Sequence, residues 1–148
     1  LSGDSMLLST PEFRWESWIN EGPQFVRREV RLYLVYSANR SWTDSYRLGL
    51  LEFRGGDPLD PTAWTKHPRP VFDSVRSGPN PVFAPGHCSF VHDPSGAEWM
   101  LYHVAQRRGS GWRREVRAQH FGWSESDRPL FGKPLPLRRS AQSGSLQR

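Results

Sequence analysis

Residues 21–37 read EGPQFVRREVRLYLVYS and residues 86–103 read GHCSFVHDPSGAEWMLYH, and the likeness between these two stretches decides the fold. Each runs from a glycine-flanked polar residue, Glu21 or His87, through a strand and a polar turn into an aromatic-rich strand. Glu21 stands 15 residues before Tyr36 and His87 15 residues before Tyr102, and His87 follows Glu21 by 66 residues. A sheet unit that recurs with its first polar residue in the same place is the pattern of β-propeller blades, whose innermost strands line a central channel. Glu21 and His87 would then hold equivalent inner positions and face one axis. The competing reading is that two β-meanders resemble each other only because all meanders do.

Working outward, the alternation of apolar and polar residues predicts strands at QFVRR, RLYLVYS and YRLGLLEF, with the loop ANRSWTD before the third. The stretch from Arg54 to Pro81 is dense in Gly and Pro and reads as a long ordered loop. Strands follow at CSFVHD, EWMLYHV and EVRAQHFGW, with a last extended segment at RPLFGKPLPL. Residues 1–136 are expected to form the folded unit and residues 137–148 a disordered tail.

Composition agrees with an all-β chain. Thirteen Gly and thirteen Pro, with seven Trp, four Tyr and eight Phe in 148 residues, suit short strands and many turns better than long helices. The net charge of +5 comes from basic residues scattered among acids, a solvated surface rather than a nucleic-acid footprint, so no nucleic-acid partner is expected. The single cysteine, Cys88, excludes an internal disulfide and any cysteine-only metal cluster. No run of eighteen apolar residues is present, so no membrane-spanning helix is expected. The sequence begins at Leu1 rather than Met, and the natural N-terminus is expected to lie upstream.

The segments NEGPQF, LYLVYSAN, YRLGLL, DPTAWTK, PVF, PGHCSFVHDPSGAEWMLYH and VRAQHFGW…RPLFGKP stand in an order and spacing that resemble glycoside hydrolase family 43. The likeness is to its α-L-arabinofuranosidase-like members, which are five-bladed propellers, and it runs from about Leu7 to Pro136. Any one of these motifs is weak; seven in register are specific. The resemblance implies an inverting hydrolase that uses an aspartate base, a glutamate acid and a second aspartate that tunes the acid. The acid of the NEGP motif falls on Glu21. The histidine of the PGH.SF motif lies at the channel centre near a hydrated calcium ion, and it falls on His87. An arginine that reaches the bound sugar matches Arg114, with Arg117 as the choice in a slipped register. Ala84 and Cys88 stand where the family often has Gly and Asn. No Asp here matches the base or tuning motif, so those residues are expected in N-terminal blades outside this chain, which would cover two to three blades of an incomplete ring.

Inversion needs one acid to protonate the leaving oxygen and one base to activate water on the opposite sugar face, typically about 6.5–9.5 Å away. Glu21, held by Gly22 and Pro23 and expected in a pocket, suits the acid. Calcium prefers oxygen ligands, so His87 is expected to act on it through ordered water. Asp93 is expected to serve a turn and His103 to pack within its own sheet. Indole faces stack on sugar C–H surfaces, and Trp18 and Trp42 are the expected sugar contacts, with most other indoles in the core. The reading is therefore a secreted glycosidase acting on α-L-arabinofuranosides of plant polysaccharides. Secretion is expected from the substrate class alone. A non-catalytic carbohydrate-binding propeller, or a β-xylosidase or arabinanase of the same family, is the alternative.

Overall fold

The computed structural model describes residue 3 and residues 5–137. The tail expected to be disordered lies, beyond residue 137, outside the described residues. Strands β1 (Asn20–Arg28), β2 (Arg31–Ala38), β3 (Arg47–Phe53) and β4 (Trp64–Lys66) form one antiparallel sheet in that order. Strands β5 (Phe83–His92), β6 (Glu98–Ala105) and β7 (Arg114–His120) form a second, and β8 (Gly122–Trp123) pairs with β9 (Pro129–Leu130). Among the described residues the only helical turns are short 3-10 pieces at Arg14–Glu16 and Pro61–Ala63. The all-β expectation holds. The long loop is corrected in one place, because it contains the edge strand β4, whose three residues are too few to show an alternation.

The period of two along β2 sorts the packing. Tyr33 and Val35 face a core shared with Leu48 and Leu50 of the first sheet and with Cys88, Met100, Tyr102 and Val104 of the second. Leu34, Tyr36 and Ala38 face the other way, onto Ala63 and Trp64, with Leu8 and Trp15 of the N-terminal segment against them. The first sheet is thus covered on both faces, which explains why β2 is apolar almost throughout. The second sheet is covered on one face. Its other side leaves Val91 and Val116 exposed.

Entry into β1 is set by a buried carboxylate that sequence reading passed over. Glu16 is fully buried, and its carboxylate accepts hydrogen bonds from the backbone N–H groups of Glu12 (2.6 Å) and Phe13 (2.7 Å), from Asn20 Nδ2 (3.0 Å) and from the Tyr36 hydroxyl (2.8 Å). Lys66 Nζ of β4 lies 2.8 Å away, itself nearly buried. Burial alone would raise the Glu16 pKa. The Lys66 ammonium, the two N–H groups and the Tyr36 phenol outweigh it and take it to about 2. Removing one partner from such a pair strands the other charge, which is the costly case.

A carboxyl whose folded pKa is depressed stabilises the fold above its unfolded pKa, near 4.5, and loses that contribution as the pH falls through about 2. Glu16→Gln should therefore be less stable at pH 7, by an amount on the order of 3 kcal/mol. The deficit should shrink steadily between pH 4.5 and pH 2. Urea unfolding of both proteins across that range checks it, and parallel pH curves would refute the assignment.

Candidate functional site

Both leading strands are bulged at the same level. The β1–β2 register shifts between Glu21 and Gln24, and the β5–β6 register shifts on each side of Gly86. Bulges re-aim side chains out of the regular alternation and gather beside active sites. Here they carry left-handed backbone: Gly22 has φ +56, Ala84 φ +54 and His87 φ +53. Ser17 and Trp18, just before β1, are left-handed in succession at φ +47 and +72. Each non-glycine residue held this way costs roughly 1–3 kcal/mol, and such strain concentrates at functional sites. Among the described residues, four of the seven non-glycine cases thus lie just before β1 or in the first half of β5.

Glu21 and His87 are brought together. The His87 ring lies 3.6–3.7 Å from where a side chain at Gly22 would begin, ordinary contact distance, and it is the left-handed backbone at Gly22 that favours glycine next to Glu21. The His87 backbone N–H donates to Ser37 Oγ at 2.7 Å, tying β5 to β2. His103 stacks on His87 within the second sheet, with ring centres 5.4 Å apart. Burial, then the charges of Arg114 and His87, lower the His103 pKa and hold it neutral at ordinary pH.

The central group is one the sequence reading missed. Tyr46, buried just before β3, donates its hydroxyl to Glu21 Oε1 at 2.7 Å. Gly86 leaves the room its ring occupies, since a methyl there would overlap the ring. The Arg114 guanidinium sits over the ring at 5.1 Å. Burial raises the Tyr46 pKa strongly; the bond to Glu21 adds to this and the Ser37 hydroxyl opposes it. The phenol therefore stays protonated and remains a donor. A lone tyrosine in SYRLGLL carries no signal that separates it from a core aromatic.

Arg114 binds the Ser41 carbonyl through Nη1 (2.8 Å) and the Ala84 carbonyl through Nη2. Its pKa is lowered by burial, with Tyr46 and Glu21 acting against that. Arg117 is spent elsewhere, on Glu115 and the Leu135 carbonyl, so of the two arginines it is Arg114 that packs over the Tyr46 ring bonded to Glu21. Glu21 itself is more open than expected. It lies on the wall of a cleft of about 370 Å³, otherwise mostly apolar, between residues 6–9 and the face of the first sheet. Strand β1 is an edge of its sheet.

The remaining candidates separate. Trp18 is 88% exposed, on a turn away from the Tyr46 cluster and beside residues 11–14. Trp42 is 48% exposed and meets Trp112 edge to face. Trp112 is 71% exposed, so the expectation that most indoles pack inside does not extend to it. Asp93 serves its turn, accepting from Ser95, Ala97 and Trp99. Cys88 points into the shared core, where burial pushes its thiol up to about 12. Among the described residues no three His, Cys, Asp or Glu side chains gather to hold a metal. The described residues do not by themselves form a calcium cage around His87.

The family model for glycosyl hydrolases family 43 matches residues 1–129. "Alpha-L-arabinofuranosidase 43" of Humicola insolens is 31% identical over 92% of this chain and 30% of that protein. The "Extracellular exo-alpha-(1->5)-L-arabinofuranosidase" of Streptomyces chartreusis is 38% identical over 72% of this chain and 33% of that protein. The crystal structure of an α-L-arabinofuranosidase from Lactobacillus brevis superposes with a TM-score of 0.84 at 35% identity, covering 94% of this chain and 45% of that one. The chain spans about a third of the length of these curated relatives.

The position of the Tyr46 ring is tested by Gly86→Ala. The added methyl must displace the ring, and overpacking of this kind costs roughly 1–3 kcal/mol. A denaturant midpoint indistinguishable from the parent would show that the ring is not seated on Gly86.

Proposed function

This chain belongs to glycosyl hydrolases family 43, and on that footing we propose that it is the acid-bearing part of an inverting α-L-arabinofuranosidase. The observation that carries the reading is the Glu21 carboxyl at the bulged head of β1, hydrogen-bonded to a buried phenol that lies under Arg114, with the His87 ring against the neighbouring Gly22. In the proposed reaction Glu21 gives its proton to the leaving oxygen as the glycosidic C–O bond breaks. A water attacks the anomeric carbon from the opposite face and yields its proton to an aspartate base. That base and the tuning aspartate belong, in this reading, to blades outside the chain. Arabinofuranosides are favoured over xylosides because the relatives above 30% identity carry arabinofuranosidase names.

In this proposal the two sheets are blades of a five-bladed ring that continues on both flanks. The apolar cleft on one side of the first sheet, and the bare face carrying Val91 and Val116 on the second, support it. Arg114 orients the site and meets the sugar, His87 stands at the channel, Trp18 lies on the rim, and any calcium draws its ligands from water and from outside this chain. The extracellular names of the Streptomyces relatives favour secretion.

Two measurements follow. The pure 148-residue chain should show no turnover of an aryl α-L-arabinofuranoside above background; turnover that Glu21→Gln abolishes would refute the division of acid and base. In the full-length protein Glu21→Ala should slow cleavage of poor leaving groups by about a hundredfold or more, and of activated aryl groups far less, since these need little acid assistance. Equal losses on both would remove Glu21 from the acid role.

A further inference from the structure

We propose that Trp42 and Trp112 form a stacking platform for the leaving-group portion of a saccharide chain. The inference rests on the acid reading of Glu21, because the acid marks the side on which the leaving group departs. Trp42 lies in the loop between β2 and β3 and Trp112 in the loop between β6 and β7, so the pair spans the seam between two sheets that both belong to this chain. Their exposure is therefore unlike that of Val91 and Val116, which face an open flank.

The platform is built and held. The two indoles meet at 5.8 Å with planes 89° apart, an arrangement in which one ring offers its edge and keeps both its faces clear of the other. Trp112 Nε1 donates to Ser41 Oγ at 3.3 Å, and Asp44 Oδ1 accepts from the Gly109 N–H at 2.8 Å, so each loop is tied to the other. Arg114 fastens the Ser41 carbonyl from below and lies over the Tyr46 ring, whose hydroxyl holds Glu21. A continuous line of contacts thus joins the indoles to the proposed acid.

Size and surroundings choose the occupant. Two indoles, in loops that also carry the exposed Arg40, Arg107, Arg108 and Arg113, are far too small an apolar patch for a stable protein interface. They do match the C–H face of about one sugar ring, with the Ser41 hydroxyl beside Trp112. A rigid aromatic surface also loses little freedom on binding.

The test uses the full-length protein carrying Glu21→Gln, so that ligand is bound without turnover, and calorimetric titration with α-1,5-linked arabinopentaose and with free arabinose. Adding Trp112→Ala should weaken the pentaose roughly fivefold to tenfold and arabinose by about twofold or less. Trp112→Phe should recover most of the pentaose affinity. Trp42→Ala repeats the comparison should the first variant fail to fold. Equal weakening of both ligands, or none for the pentaose, would overturn the platform. Wild-type turnover by the Glu21→Gln protein would instead overturn the acid reading, and it is read from activity rather than from heat.

Discussion

The ring of Tyr46 is the point at which the two sheets are held in one frame. It leaves the head of β3, fills the space that Gly86 of β5 leaves open, lies under the Arg114 guanidinium of β7 and ends on the Glu21 carboxylate of β1. A buried phenol has to find a partner for its hydroxyl, and the partner available is the carboxylate. The same packing demand that joins the sheets therefore fixes the carboxylate in place. Structure and site share one constraint.

Glu16 and Lys66 do for the outer face of the first sheet what Tyr46 does for the seam. The pair ties the segment before β1 to the last strand of the sheet, and Asn20 and Tyr36 finish the network at the level where Glu21 begins. All the partners are satisfied, which is what permits so deep a charge. Against this fixed frame the chain tolerates left-handed backbone at Ser17, Trp18, Ala84 and His87. The bulges turn Glu21 and His87 out of the sheet alternation, and the strain is held by contacts made elsewhere.

Much of this was legible in the amino-acid order. The strands β1–β3 and β5–β7 are legible as short apolar and aromatic runs bounded by turn residues, and the likeness of the blocks beginning at Glu21 and His87 anticipates two comparable sheets with those residues near one another. Strand β4 escaped because three residues carry no period. Glu16 escaped because a glutamate between Trp15 and Ser17 reads as surface until Lys66, fifty residues on, is known to meet it. Trp112 was grouped with the core because composition says that indoles are buried on average, not which one is the exception.

The order of residues by itself determined the all-β class, the sheet units and the family, since these rest on local periodicity and on motifs contiguous in the chain. Only the tertiary structure decided which residues share the site. Tyr46 reaches Glu21 across 25 positions, Arg114 reaches Ser41 across 73, and Trp112 reaches the same serine across 71. Contacts at such separations depend on how two sheets stack and on where their bulges fall. That geometry is set by the packing of whole faces, and no short stretch of sequence holds it.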